Sequence, residues 1–410
     1  MTGGRPACLG CGAPLTRTLV DLGCTPLANS FVPSDRPEPD PVYPLHVRVC
    51  DRCLLVQVEA VVPPADIFSD YAYFSSYSDT WLEHCRGYVE MAIARFALTG
   101  ASKVVELASN DGYLLQNFVA AAIPCLGVEP AANVAQAARA RGVPTEIAFF
   151  GSETVRRLTA AGHRADLIVA NNVLAHVPDI NDFVAGVALL LKPEGVFTVE
   201  FPHLLNLIRG VQFDTIYHEH FTYLSLIAIE RIFRRHGLRI FDTEELATHG
   251  GSLRALVCKE ESNQAEWPGV ARIRSNETSA RLDGPEGYAC FAERVEAVRQ
   301  ELVAFLASAR AAGRSVAAYG AAAKGNTLLN YCRVGSDRIS FVADRSPAKQ
   351  GRLLPGSRIP VRGPDAIFAE KPDYVLILPW NLRDEISGQL AAIRGWGGKF
   401  VTAIPEIHVS

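Results

Sequence analysis

Lys103-Val-Val-Glu-Leu-Ala-Ser-Asn-Asp-Gly-Tyr-Leu-Leu115 is the stretch that decides the fold. It reads as a buried strand, a polar turn and the start of a helix, because a short apolar run closed by turn residues marks a strand covered on both faces. A second short strand, Cys125-Leu-Gly-Val-Glu129-Pro, follows Asn110-Asp111-Gly112 and ends in a carboxylate. At the end of the second strand of a βαβ unit, an acid is placed to accept hydrogen bonds from ribose hydroxyls, at the carboxyl edge where such sheets bind ligands. The first turn is not Gly-x-Gly-x-x-Gly. It lacks the glycines that bring backbone amides against a pyrophosphate, and presents Glu106, Asn110 and Asp111 instead. These groups repel a dinucleotide and suit a ligand that carries an ammonium and a sulfonium, which is S-adenosylmethionine.

The pattern continues downstream. Ala165-Asp-Leu-Ile-Val-Ala-Asn-Asn-Val-Leu-Ala-His-Val-Pro is a strand running into a polar loop, and Leu190-Leu-Lys-Pro-Glu-Gly-Val-Phe-Thr-Val-Glu-Phe-Pro is a helix end, a Pro/Gly turn and a fifth strand. A parallel, doubly wound α/β sheet is the architecture these elements predict. Asn171 and Asn172 fall at the carboxyl edge of the fourth strand, where an amide can touch the amino-acid half of the cofactor; the plainer alternative is a strand-end turn. The expected cofactor set is Glu106, Asn110, Asp111, Gly112, Glu129, Asn171 and Asn172. His176, one turn further, is within reach of the same pocket or serves as a local cap.

Residues 213–221, Phe-Asp-Thr-Ile-Tyr-His-Glu-His-Phe, place a phenol, two imidazoles and a carboxylate side by side. A site that pulls a proton from carbon needs such groups: an imidazole near neutrality takes the proton, and a phenol or a second imidazole holds the developing oxyanion. In an extended segment His218 and His220 share one face, with Tyr217 and Glu219 on the other. The competing reading is a buried polar turn whose side chains satisfy one another.

Near the N-terminus, Cys8-Leu-Gly-Cys11 and Cys50-Asp-Arg-Cys53 are two Cys-x-x-Cys knuckles. Four thiolates at this spacing close a tetrahedral Zn²⁺ site with no open position, which makes the metal structural. A redox role fits less well, because a thioredoxin-like pair precedes a helix in a βαβ context. Cys24 stands alone, and Cys85, Cys125, Cys258, Cys290 and Cys332 are scattered and read as core thiols. The polar-aromatic stretch containing Tyr71, Tyr73 and Tyr77 either lines a pocket or packs one domain on another.

The last third opens with apolar spacing over 285–312 that predicts a long amphipathic helix. It leads to Arg314-Ser-Val-Ala-Ala-Tyr-Gly-Ala-Ala-Ala-Lys-Gly-Asn-Thr-Leu-Leu, a strand, small-residue turn and helix start that resemble a phosphate cradle. Gly320 and Gly325 let the backbone approach an anion and Lys324 adds a point charge, with Tyr319 and Asn326 as flanking substrate contacts. Later strands predict a second parallel sheet. Three domains are expected: 1–75 binding zinc, 76–245 binding S-adenosylmethionine, and 246–410 an α/β domain that holds the substrate's nucleotide or is only structural.

With 410 residues, 40 basic and 44 acidic side chains and no long basic run, the chain shows no electrostatic footprint for nucleic acid or an anionic membrane. The N-terminus has no apolar targeting core and no stretch is apolar enough to span a bilayer, so a soluble cytoplasmic protein with small-molecule partners is expected.

Together the Cys8/Cys11/Cys50/Cys53 module, the Glu-Leu-Ala-Ser-Asn-Asp-Gly turn, the Ile-Tyr-His-Glu-His-Phe run and the Tyr-Gly-Ala-Ala-Ala-Lys-Gly turn resemble the sugar C-methyltransferases that branch deoxysugars in antibiotic and cell-surface glycan pathways. The resemblance covers essentially the whole chain. It implies methyl transfer from S-adenosylmethionine to carbon 3 of a nucleoside-diphosphate 4-keto sugar, usually dTDP-linked. The ketone acidifies the neighbouring proton; His220 is the expected base, oriented by Glu219, with Tyr217 positioning the sugar, stabilising the enolate or serving as the alternative base. His176 and Tyr73 are carried over as further sugar contacts. Within the family an acid can stand where this chain has His218, which leaves the sugar's substituents open. Two rival readings are an O- or N-methyltransferase acting on another small metabolite, and a zinc-containing nucleic-acid module.

Overall fold

The structure is a computed structural model that describes residues 6–36, 38–59, 62, 63, 76 and 79–410. Tyr71, Tyr73 and Tyr77 lie outside the described residues. The N-terminal module contains β1 (Arg17–Thr25), β2 (Val32–Pro33), β3 (Tyr43–Val49) and β4 (Val56–Val58). β1, β3 and β4 form an antiparallel sheet that is completed on the far side of β4 by Thr222–Tyr223, from the segment just after the Tyr-His-Glu-His run. β3 alternates outward and buried positions and β1 does so with a register shift at Thr18/Val20, and their inward side chains Leu19, Val20, Leu22, Leu45, Val47 and Val49 are almost fully covered.

The central domain is built on β5 (Val104–Leu107), β6 (Cys125–Glu129), β7 (Thr145–Ile147), β8 (Ala165–Asn171) and β9 (Leu191–Pro202). These run parallel, with β5 in the middle and buried at every position. After β10 (Thr222–Tyr223), the hairpin of β11 (Leu238–Leu246) and β12 (Ser252–Lys259) closes the sheet in the order β11-β12-β9-β8-β5-β6-β7, with β12 antiparallel to both neighbours. The expected division at 245/246 falls inside this hairpin. Helix Leu226–Arg235 shows how the domain is stapled. Ser225 Oγ caps it by accepting from Ala228 N at 3.2 Å, while the buried Glu277 carboxylate accepts from Leu226 N at 2.6 Å and Ile227 N at 2.9 Å. His203 Nε2 lies 2.6 Å from the same carboxylate. A buried acid is stable there because the first-turn amides have no partner inside their own helix.

The C-terminal domain carries β13 (Val316–Tyr319), β14 (Val342–Ala343), β15 (Arg352–Leu353), β16 (Val361–Arg362), β17 (Tyr374–Ile377), β18 (Lys399–Thr402) and β19 (His408–Val409). Its sheet order is β16-β14-β13-β17-β18-β19, parallel except for the last strand, and β15 pairs instead with β2 of the N-terminal module. The helix expected over 285–312 is continuous only from Phe291 to Ala311. Cys290 at its start has φ 61 and is exposed, as is Cys24, so Cys290 is not a core thiol. Among the described residues no helix is long and apolar enough to cross a membrane.

The modules share cores. The four knuckle cysteines' neighbourhood, with Leu15 and Leu55, packs on the central sheet and its helices, while β1 and β3 join a second core with the long helix and β13.

Candidate active site and thiolate cluster

The knuckle sulfurs lie together, all four within 4.8 Å of one another, with Cys8 and Cys53 at 3.4 Å and Cys11 and Cys50 at 3.5 Å. Zn–S bonds of about 2.3 Å in a tetrahedron require sulfurs just under about 4 Å apart, so the donor set fits a thiolate-bound metal. Each knuckle turns through a left-handed residue, Gly12 at φ 72 and Leu54 at φ 64, and Gln57 Nε2 donates to Cys8 Sγ at 3.2 Å. The turns are docked on the central domain: Asn181 Nδ2 donates to Leu9 O at 2.8 Å and Arg231 to Arg52 O at 3.0 Å.

At the carboxyl edge of β5 the chain passes through positive φ at Ala108, Asn110 and Gly112. At Gly112 (φ 78) an added Cβ meets Val143 Cγ2 at 2.9 Å, so both the backbone and the space demand glycine. Glu129 receives Asn110 N and Ala131 N, each at 2.9 Å, which fixes this turn against β6. Burial raises the Glu129 pKa. Glu106 is fully buried; burial drives its carboxyl well above the ordinary range, and the charges of Glu129 and Asp111 push the same way. Asp111 is not an open acid: Arg141 Nη1 lies 2.8 Å from its Oδ2, and Ser76 Oγ contacts the same oxygen.

A group of polar atoms here has no partner among the described residues. Ser109 Oγ, Asp111 Oδ1, both amide atoms of Asn171 and Asn172 Oδ1 are buried and unpaired, and the Glu106 carboxyl beside them has the Tyr113 hydroxyl as its neighbour. Buried polar groups are normally satisfied, so a cluster of orphans along one sheet edge fits a polar ligand such as S-adenosylmethionine. Ser109, which sequence reasoning missed, lies over Gly127, where a Cβ would stand 2.2 Å from its Oγ.

The Tyr-His-Glu-His run is a turn, closed by His220 N donating to Tyr217 O at 3.0 Å, and not the extended segment that its alternation suggested. The turn brings Tyr217 and His220 onto each other. The phenol oxygen is 2.8 Å from His220 Nε2, and His220 Nδ1 is 3.0 Å from Thr215 O. A carbonyl only accepts, so Nδ1 carries the proton and Nε2 is the basic nitrogen facing the phenol. Glu219 does not orient His220. Its carboxylate receives Asn29 Nδ2 at 2.7 and 2.8 Å, while its main-chain carbonyl accepts from His176 Nδ1 at 2.8 Å. His218 Nε2 points away, to the carbonyls of Pro44 and Tyr43 at 3.1 and 3.3 Å. His176 stands edge-on to His220 with ring centroids 4.6 Å apart.

Burial dominates the electrostatics. It lowers His220 well below the usual imidazole value, helped by His176, His249 and Lys324, and lowers His176 and His249 to about 4. These rings are neutral at neutral pH. Burial also raises Glu219 to about 7, against the opposing hydrogen bond from Asn29.

The C-terminal domain meets this turn directly. Thr327 Oγ1 donates to Ile216 O at 2.8 Å, and Asn326 Nδ2 to Ala28 O at 2.6 Å, so Asn326 ties the N-terminal module to the same corner and shares a small cavity with Tyr217. The phosphate-cradle reading of 319–326 meets two physical obstacles. Ala321 N donates to the Asp344 carboxylate at 2.7 Å, placing an acid on that amide. The glycines are accounted for by close packing: a Cβ on Gly320 meets Pro379 Cδ at 2.4 Å, and one on Gly325 meets Leu378 Cδ1 at 2.8 Å. Tyr319 is buried at the end of β13.

A further polar cluster at the end of β9 was not anticipated. Glu200 is fully buried, with His84 Nε2 and Arg254 Nη2 each 3.0 Å from Oε2 and Thr248 Oγ1 donating to Oε1 at 2.9 Å. Burial pushes Glu200 up, but those partners outweigh it and hold the carboxyl below its ordinary value. Trp81 stacks on His84 at 5.0 Å and meets His249 at 5.4 Å. The visible signal was an acid inside the apolar strand Val-Phe-Thr-Val-Glu-Phe; its partners come from three distant segments.

Comparison with known proteins bears on the whole chain. Residues 8–68 match a domain described as zinc-binding, 81–243 a methyltransferase domain, and 247–405 a C-methyltransferase C-terminal domain. The C-methyltransferase NovU of Streptomyces niveus is 37% identical over 403 residues, 98% of this chain and 96% of that one. The chain belongs to this C-methyltransferase family. It is therefore an S-adenosylmethionine-dependent C-methyltransferase with a four-cysteine N-terminal module. Two other likenesses are partial. The ubiquinone biosynthesis O-methyltransferase of Methylobacterium sp. (strain 4-46) is 30% identical over 98 residues, 23% of this chain and 38% of that one. An S-adenosylmethionine-dependent methyltransferase structure from Clostridium acetobutylicum covers 45% of this C-methyltransferase and 93% of its own chain, at 14% identity and TM-score 0.37.

Proposed function

We propose that this C-methyltransferase methylates carbon 3 of a nucleoside-diphosphate 4-keto-deoxysugar, dTDP-linked in the first instance, in the biosynthesis of a branched deoxysugar. The observation that carries the reading is the Tyr217–His220 pair. A buried imidazole with its Nδ1 proton fixed on Thr215 offers one basic nitrogen, and the phenol on that nitrogen is ready to pass its proton inward. Such a pair is what removal of a proton from carbon requires, and transfer to an oxygen or nitrogen nucleophile has less need of it. Burial holds the pKa of His220 well below its ordinary value, which leaves the base unprotonated at working pH. Glu106, Ser109, Glu129, Asn171 and Asn172 would hold S-adenosylmethionine, which would supply an electrophilic methyl group. In this reading Tyr217 and His220 accept the carbon proton in relay, His176 and Tyr73 contact the sugar, and the C-terminal domain carries the nucleotide. Zinc on Cys8, Cys11, Cys50 and Cys53 holds the N-terminal module together and takes no chemical part.

The test incubates the enzyme with methyl-labelled S-adenosylmethionine and a dTDP-4-keto-2,6-dideoxyhexose, and locates label by mass spectrometry and NMR. Label on carbon 3 that is lost in His220→Ala supports both reaction and base. Label on oxygen, or none with any 4-ketosugar nucleotide, would sink the reading.

A further inference from the structure

Lys324 was expected to meet a phosphate, yet the structure seats it elsewhere. Its Nζ donates to Asn381 Oδ1 at 2.6 Å and lies 5.1 Å from the centre of the Trp380 ring. Trp380 Nε1 in turn donates to Asp214 Oδ2 at 2.8 Å. Asp214 precedes Thr215, whose carbonyl fixes His220, and one turn along the Lys324 helix Thr327 holds the carbonyl of Ile216. Lys324 is thus bracketed onto the segment that carries the base. The contacts are half-buried, and the ammonium's charge bears on Asp214, His220 and His249 alike. Trp380 and Asn381 also line a cavity of about 300 Å³ between the central and C-terminal domains, with Ala247, Gly250, Arg383 and Thr402. Asp214 Oδ1 is buried with no partner among the described residues, so this corner holds one cation, one incompletely satisfied acid and an adjoining space.

We infer that Lys324 is a catalytic residue that binds the substrate's carbonyl oxygen and carries its negative charge in the enolate, with Asn381 and Trp380 holding the ammonium in place beforehand. The inference rests on the proposed carbon methylation. When the base pair takes the proton on carbon 3, the C–H electrons form the C3–C4 double bond and the carbonyl π pair moves onto oxygen, where the ammonium meets it and stays protonated. When the carbon takes the methyl group, that pair returns to the carbonyl and the enolate pair becomes the new C–C bond, while the donor's S–C electrons remain on sulfur. A fixed cation aimed at the site of developing charge acts mainly on the transition state.

The full-length enzyme, with S-adenosylhomocysteine in place of the methyl donor, is incubated with a dTDP-4-keto-2,6-dideoxyhexose in D₂O, and deuterium entering carbon 3 is followed by NMR; dTDP binding is measured by calorimetry. Lys324→Gln is expected to slow exchange roughly 10²–10³-fold with dTDP affinity unchanged, and Lys324→Arg to recover part of the rate. Exchange at the wild-type rate in Lys324→Gln overturns the assignment, as does weaker dTDP binding with exchange intact, which would mark a phosphate contact. Retained dTDP binding certifies the fold; if Lys324→Gln does not fold, Lys324→Arg carries the test, and full loss of exchange in a folded Lys324→Arg counts against a charge role. A wild-type enzyme that neither exchanges nor methylates any 4-ketosugar nucleotide removes the proposed function itself, an outcome distinct from wild-type activity that is indifferent to Lys324.

Discussion

Replacing Asn29 by alanine should destabilise the protein in a pH-dependent way. Asn29 comes from the N-terminal module and gives Glu219 its two side-chain hydrogen bonds, at 2.7 and 2.8 Å, in a position where Glu219 is only 4% exposed. Burial raises the Glu219 pKa from 4.5 to about 7, and Asn29 is the group opposing that rise. A raised folded pKa means that the folded chain holds this proton more tightly than the unfolded chain. The stability contributed is therefore complete below about 4.5 and is lost as the pH climbs through about 7. Hydrogen bonds to a charged group are worth about 1.5–3 kcal/mol. Removing this donor should cost about 2–3 kcal/mol where Glu219 is ionised, about 1–2 kcal/mol more than where it is protonated and so equivalent to a further rise of roughly 0.7–1.5 pKa units. At acid pH, with Glu219 protonated in both proteins, the cost shrinks to about 1 kcal/mol for a neutral bond. Thermal midpoints of wild type and Asn29→Ala, compared at about pH 5 and about pH 8.5, should diverge as the pH rises. An equal drop at both values would refute the reasoning, because it would mean that Asn29 supports packing and not the carboxylate.

Gly112→Ala places a side chain at φ 78 with its Cβ 2.9 Å from Val143; a cost of about 2–4 kcal/mol and weaker S-adenosylmethionine binding are expected, and unaltered calorimetric affinity would contradict the site. Cys11→Ser, or treatment with a strong chelator, should remove about one equivalent of zinc by elemental analysis and lower the melting temperature, since the knuckles are docked on the central domain through Asn181 and Arg231. His176 folds with a pKa near 4 against 6.5 because burial penalises its charged form, so its neutral form stabilises the fold above 6.5 and that contribution is lost as the pH falls toward about 4. The acid limb of kcat/KM should accordingly lie below 6.5, and a limb at or above that value would mean that the base is not the buried imidazole.

The sequence was most legible where one segment determines its own structure. Val104–Leu107 and Ala165–Asn171 are short, mainly apolar runs ended by turn residues, with Glu106 and Asp166 as their acidic members, and each is a parallel strand buried at nearly every position. The two Cys-x-x-Cys turns close locally, so the clustering of four thiols could be anticipated although a sheet separates them. The Tyr-His-Glu-His run was legible as chemistry but not as geometry. Alternation suggested faces of a strand, whereas a single backbone bond from His220 N to Tyr217 O folds the run into a turn that pairs Tyr217 with His220 and sends His218 and Glu219 to the N-terminal module. Nothing within nine residues could reveal that Glu219 faces Asn29, because that contact depends on how the N-terminal sheet takes up Thr222–Tyr223 as its edge strand. Likewise the small-residue turn at 319–326 has the composition of a phosphate cradle, but its glycines answer to Leu378 and Pro379, which the sequence places far away.

These contacts bear on a difficulty in the proposed chemistry. Burial keeps His220 neutral, which makes it available as a base at working pH, but the same loss of solvation makes it a weaker one. Each pKa unit so lost costs about 1.4 kcal/mol of driving force for proton transfer, and a proton on carbon is a poor acid to begin with. The deficit has to be met on the substrate's side, by lowering the energy of the enolate. A preorganised donor aimed at a developing oxyanion supplies about 3–4 kcal/mol, enough to offset a base weakened by two units or more. Among the described residues near the catalytic turn, the cation whose charge reaches His220 and His249 together is Lys324. The cation also helps to lower His220, so base and acid catalyst are coupled: removing the ammonium should raise the imidazole's basicity while exposing the enolate. If exchange slows in Lys324→Gln even as the acid limb of the rate profile moves to higher pH, the oxyanion term outweighs the base term, and the C-terminal domain is part of the catalytic apparatus.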